Sequence, residues 1–326
     1  MHAMQESRLD NETRELVRQM QEHFLVPPNE SGFFSPLKDL IPSLDTQLRL
    51  PAEAFIQSLS AILSTMSLPF ALASASTEQQ HYMRFHIAEN IRGLSRAREE
   101  GESEAAYEAR TERFIARRAA EHMQEFRNSK EGVNILVSQT CRFLLDGIRR
   151  GPIEEPAAEL LLEGTWLSWS AFEVLSRDVF VTLVNSRPVL AQTLLNAPQT
   201  KLRFGLAKIP IDLLAQFGFD LSSQMGNLLA SQQDFSDLAT IKTVFQTLFP
   251  DNRPLREKLQ ARELWTLCQE RHLIVHRRGV IDEEFRKNTD SGQTIGSRLR
   301  IKPAQLEEAI RLVQDTGLTI LQATAG

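Results

Sequence analysis

Between Glu159 and Asn185 the chain reads as one long helix carrying two apolar stripes. One stripe runs through Trp166, Trp169, Phe180 and Val184, the other through Phe172, Leu175, Val179 and Leu183. Residues recurring at three and four positions lie on one helical face, and two such faces together cover most of the circumference. A helix apolar on nearly all sides belongs in the core of a bundle, so this segment points to an all-α fold. The flanking sequence agrees. Ser35-Pro36 and Leu50-Pro51 place prolines where first helical turns tolerate them, and the apolar residues after them again recur at three and four. Further helices are expected over Leu238 to Phe249, Leu255 to His276 and Pro303 to Leu321, with a turn over Pro250 to Pro254. Thr294 to Ile301 alternates enough for a short extended piece.

A chain of 326 residues exceeds the usual size of one compact domain. The helix through Leu144 and Ile148 runs into Arg149-Arg150-Gly151-Pro152, a stop signal, which divides the chain into a helical region over 1–150 and a helical bundle over 151–326. Ala54 to Thr77 lacks charges, but its serines and Pro69 favour a buried helical hairpin over a membrane span. Two cysteines, Cys141 and Cys268, stand far apart with no ligand spacing, so neither a disulfide framework nor a metal site is indicated. With no basic-then-apolar leader, the expected location is the cytoplasm.

The net charge of −5 argues against a surface that holds nucleic acid through many phosphates, so any such role needs a local basic site. From Arg84 to Asn128 arginines and glutamates are mixed at helical spacing. Arg110, Arg113, Arg117 and Arg118 form a stripe that reads as a solvated face, because Glu108, Glu112 and Glu121 lie among them; a nucleic-acid contact is the other reading. Gly-rich phosphate loops and nucleophile elbows are missing from the sequence.

Chemistry concentrates in Leu264 to Gly279. Leu264, Leu267, Cys268, Ile274 and Val275 form one stripe with Arg271 in its middle, and a buried guanidinium needs a carboxylate or a partner subunit. The carboxylate expected to meet it is Glu173, on the Trp166, Trp169, Phe180 stripe of the long helix. His272 and His276 are four apart and share a face near Trp265, whereas Arg271 and His276 differ by about 140° around an ideal helix. Two arrangements would bring them together: a helix ending near Val275, or a symmetric dimer pairing two such helices across a cleft.

Arg271-His272-Leu273-Ile274-Val275-His276, followed by Gly279-Val280-Ile281-Asp282, resembles the signature of the HEPN family, in particular the RiboL-PSP-type ribonuclease domains. The order of the Trp169–Glu173 helix, the Leu202 to Phe217 region and the Leu299 to Leu321 tail is also similar, and the resemblance covers about Ile153 to Gln322. It implies a helical bundle that dimerises and a metal-independent endoribonuclease needing no cofactor, acting as a toxin or antiphage effector. By this resemblance His276 is the general acid or base at the ribose 2′-hydroxyl or the leaving oxygen, and Arg271 holds the scissile phosphate. His272 occupies the polar position of the motif, and Glu173 resembles the acidic residue of the partner helix. Arg277, Arg278, Arg298, Arg300 and Lys302 lie close in sequence and are candidates for RNA backbone contacts, or plain solvated charges. The implied partners are RNA, a second copy of the chain and a regulatory protein for residues 1–150. The alternative is a non-catalytic dimerisation or nucleotide-binding module, with Arg271 a structural ion-pair member and His276 a histidine at a helix C-terminus.

Overall fold

A computed structural model of the chain describes residues 8–27, 30–93, 97–204 and 210–325. Among them there is no β-strand, only one antiparallel bridge between Val280 and Arg298, and the fold class is all-α. The helices are α1 Asn11–Met20, α2 Glu30–Phe33, α3 Ser35–Leu40, α4 Thr46–Met66, α5 Leu68–Gly93, α6 Glu104–Asn128, α7 Lys130–Arg149, α8 Glu154–Ser186 and α9 Val189–Asn196. After these come α10 Pro198–Phe204, α11 Ile211–Gln216, α12 Met225–Ser231, α13 Leu238–Leu248, α14 Arg253–Gln260, α15 Arg262–Arg277, α16 Glu283–Thr289 and α17 Pro303–Ala325. Residues 205–209, within the Leu202 to Phe217 region used for the family resemblance, lie outside the described residues, as does His2.

The division expected at residue 150 is corrected, both in the later boundary and in the placement of an earlier segment. The two compact units comprise residues 1–28 with 66–157, and residues 29–65 with 158–326. α7 does end at Arg149, with Gly151 at φ +88° behind it, but 29–65 is part of the second unit. Its α4 buries Phe55, Leu59 and Leu63, and Gly317 of α17 accepts Phe55 and Leu175 so closely that an added Cβ would lie 2.7 Å from both. Helical periodicity announces an apolar face without saying which core will take it. The segment Ala54 to Thr77, expected to be one buried hairpin, falls in two helices that break at Ser67 and belong to different units. No single described helix is long and apolar enough to cross a membrane; α4 and α5 satisfy that test only when joined across the break.

The first unit is a bundle of α1, α5, α6 and α7 around Val17, Met20, Phe70, Val133, Val137 and Leu144. Asp10 caps α1 by accepting from the Thr13 N–H, Ser103 caps α6 and Ser129 caps α7, each satisfying an orphan donor of a first turn. Of the α6 arginines, Arg110 is engaged with Glu102 and Arg118 with Glu121 at 2.6 Å, while Arg113 donates to the Ala109 carbonyl. Arg110 pulls the Glu102 carboxyl down to about 2.

In the second unit α8 places both apolar stripes inside, except that Trp166, at the start of the first, is half-buried. Trp169, Phe172, Leu175, Val179, Phe180, Leu183 and Val184 are buried, as its two-sided pattern requires. Phe180 stacks on Phe204 and lies against Phe235. Three local expectations are corrected. α4 begins five residues before Pro51, because Arg49 donates to the Leu44 and Pro42 carbonyls and the Leu48 N–H to Asp45, which winds a turn ahead of the proline. The helix expected from Leu255 to His276 is two, α14 and α15, because Ala261 is extended at ψ 137°. The Thr294 to Ile301 alternation yields the single bridge at Arg298 and no strand.

Candidate functional site

α15 carries the candidate residues. Leu264, Leu267 and Leu273 anchor it in the core, and Ile274 is half-buried. Val275, expected on the buried stripe, is 43% exposed, and Leu273, not included in that stripe, is buried instead. The helix runs through Arg277 and ends where Arg278 adopts the left-handed conformation, at φ 53°, followed by Gly279 at φ +75°. The Gly279 N–H donates to the Leu273 carbonyl, a helix-end closure that suits glycine because it lacks a Cβ. The rest of the motif is tied down behind it. Leu299 N–H donates to the Gly279 carbonyl, Ile281 N–H donates to Ser297, Ile281 is buried, and Asp282 caps α16 by accepting from the Phe285 N–H. Gly279, Ile281 and Asp282 therefore have structural duties that fix the C-terminal end of α15.

Arg271 meets the carboxylate expected of it: its Nη2 lies 3.2 Å from Oε1 of Glu173 on α8. The two side chains are only 17% and 16% exposed. Burial pushes the Glu173 carboxyl up; the charge of Arg271 opposes that, and Asp234 adds to it. Among the described residues, Arg271 Nε, Glu173 Oε1 and Trp169 Nε1 are buried without a hydrogen-bond partner. The contact is thus an ion pair that leaves bonding capacity unused on both sides, where most buried polar atoms are paired. Trp169 stands one helical turn before Glu173 on the stripe the sequence shows, whereas Asp234 carries no local signal that would place it here.

His272 and His276 are both exposed, with ring centroids 4.5 Å apart. The helix continues past Val275, so the first of the two arrangements for joining Arg271 to His276 is not realised, and no hydrogen bond or ring contact between described residues links Arg271 to either histidine. A groove of about 240 Å³ beside α16 is lined by Trp265, Gln269, His272, Arg277, Asp282 and Asn288, among others, and includes neither Arg271 nor His276.

The basic candidates are spread out. Arg277 faces Asp282 at 3.8 Å, and Arg298 pairs with Glu159 of α8. Arg278 forms the exposed helix end. The Arg300 backbone is held at both N–H and carbonyl by the Gln293 side chain, and the Lys302 N–H donates to Gln305 at the start of α17. Cys268 is half-buried, and burial raises its thiol. Among the described residues no group of three or more His, Cys, Asp or Glu side chains is placed to share a metal ion.

These elements define an all-α protein in which one helix carries both a partly buried arginine, paired with a glutamate of α8, and an exposed histidine pair. No family model, curated protein or solved structure matches the chain.

Proposed function

We propose that the chain is a metal-independent endoribonuclease of the HEPN type, working as a cytoplasmic homodimer through its C-terminal helices, with the first unit, residues 1–28 with 66–157, as a regulatory or partner-binding region. The observation that carries this reading is the pairing of an underused, half-buried guanidinium with an exposed imidazole pair on the last turns of one helix. Arg271 keeps an unpartnered Nε while Glu173 fixes its position, and His272 and His276 stand in solvent. Since Arg271 and His276 point about 140° apart on α15, the site needs a second copy of the helix facing the first.

In this reading neutral His276 takes the proton of a ribose 2′-hydroxyl, and O2′ attacks the adjacent phosphorus. Arg271 offsets the charge that develops on the phosphoryl oxygens. The P–O5′ bond breaks, an imidazolium returns a proton to O5′, and the products are a 2′,3′-cyclic phosphate and a 5′-hydroxyl. The test is the chemistry of the product ends after incubation of cellular RNA with the chain. Cyclic phosphates support the mechanism; 3′-hydroxyl ends contradict it.

A second reading, a non-catalytic dimerisation or nucleotide-binding module, is favoured by one observation. The cations nearest the site are largely matched by acids: Arg271 by Glu173, Arg277 by Asp282, Arg298 by Glu159. Dimerisation without RNA cleavage, undisturbed by His276→Ala, would select it.

A further inference from the structure

On another face of the second unit α15 and α17 border a groove of about 600 Å³, within the range of small-molecule sites. Leu267, Ala309 and Leu312 give it an apolar lining, which predominates over the polar surface. The ionic groups that line it are Glu263, Glu270 and Arg262 from α15 with Glu308 and Arg311 from α17; α14 and α16 contribute none. Both arginines are committed elsewhere. Arg262 pairs with Asp290, and Arg311 donates to Glu307 at 2.7 Å while its guanidinium lies over the Phe33 ring. Among the described residues, Glu263, Glu270 and Glu308 have no hydrogen-bond or ion-pair partner. The two guanidiniums at the groove are thus each matched by an acid outside its lining, and the charge left over is that of the three carboxylates.

Glu270 is the decisive member. It is the most enclosed of the three, and burial, opposed by no nearby cation, pushes its carboxyl up to about 7. A carboxylate kept from water and left unpaired is costly, and a cation arriving in the groove relieves that cost. An anionic ligand would face three carboxylates, and a neutral apolar one would cover Glu270 without supplying charge. We propose that this groove binds a small organic ammonium ion with an apolar body, its ammonium group against Glu270 and its apolar part on Leu267, Ala309 and Leu312. The proposal is independent of the ribonuclease reading, because neither Arg271 nor His276 lines the groove.

The experiment is calorimetric titration of the full chain with phenethylammonium, phenethyl alcohol and hydrocinnamate, a cation, a neutral analogue and an anion of similar shape. The ammonium ion is expected to bind best. Binding draws on ionised Glu270, so affinity rises about tenfold from about pH 6 to about pH 8 and a proton is released at the lower pH. Glu270→Gln, nearly isosteric, abolishes the pH dependence and weakens binding at the higher pH, and Ala309→Leu, which fills the groove, weakens it at both. The proposal is overturned if the ammonium ion does not bind in the millimolar range, if the alcohol or the anion binds as well, or if folded Glu270→Gln keeps the same affinity and pH profile.

Discussion

Arg271 Nη2 lies 3.2 Å from Glu173 Oε1, joining α15 to α8 by an ion pair that is mostly buried on both sides. Removing one member leaves the other desolvated without its partner. Arg271→Ala is expected to lower stability by about 3 kcal/mol, while Arg271→Met combined with Glu173→Leu recovers most of that loss, since a buried pair is replaceable by apolar packing. Denaturant unfolding of the three variants against wild type checks this; a double variant no more stable than Arg271→Ala would contradict it.

Glu270 gives the second unit a pH-dependent weakness. Its folded-state pKa, about 7, is above the ordinary value of 4.5, so the folded chain binds the proton more tightly than the unfolded chain. The sign follows: its contribution is fully present below about pH 4.5 and is lost as pH rises through about 7, a change of about 3 kcal/mol. Glu270→Gln removes it. The stability of Glu270→Gln relative to wild type should increase from about pH 5 to about pH 8 by that order, measured by urea unfolding across the range; a difference independent of pH would contradict the assignment.

Gly317 tests whether α4 belongs with the C-terminal helices. An added Cβ there would come within 2.7 Å of Phe55 and Leu175 side-chain atoms. Gly317→Ala is expected to cost about 2 kcal/mol through overpacking, and Phe55→Leu in the same chain should restore part of it by giving room. Equal stability of Gly317→Ala with and without Phe55→Leu would break the link between α4 and α17.

At the end of α15, Gly279 holds a left-handed conformation at φ +75°, with ordinary contact distances around the place a Cβ would occupy. Gly279→Ala therefore carries backbone strain without a clash, and a loss of about 1 kcal/mol is expected in thermal unfolding. A loss several times larger would mean that the turn tolerates no side chain at all.

Much of this was legible in the sequence, for physical reasons that also mark where legibility stopped. The two-sided pattern of α8 and the Arg271–Glu173 pairing follow from local rules, periodicity in the first case and the cost of an unpaired buried charge in the second. The assignment of 29–65 to the second unit did not follow, because Phe55 finds Gly317 across more than two hundred residues and nothing local encodes that choice. The apolar stripe of α15 departs from the sequence pattern at its end, where Leu273 is buried and Val275, two positions on, is exposed. Glu270 was invisible beforehand, because its raised pKa arises from its surroundings in the fold and not from its neighbours in the chain.

The central claim is tested most directly by cleavage of cellular RNA in excess chelator, comparing wild type with folded His276→Ala and Arg271→Ala. Wild type is expected to cut, with a loss of about a hundredfold or more in each variant. No cutting by wild type, or equal cutting by either variant, would contradict the account.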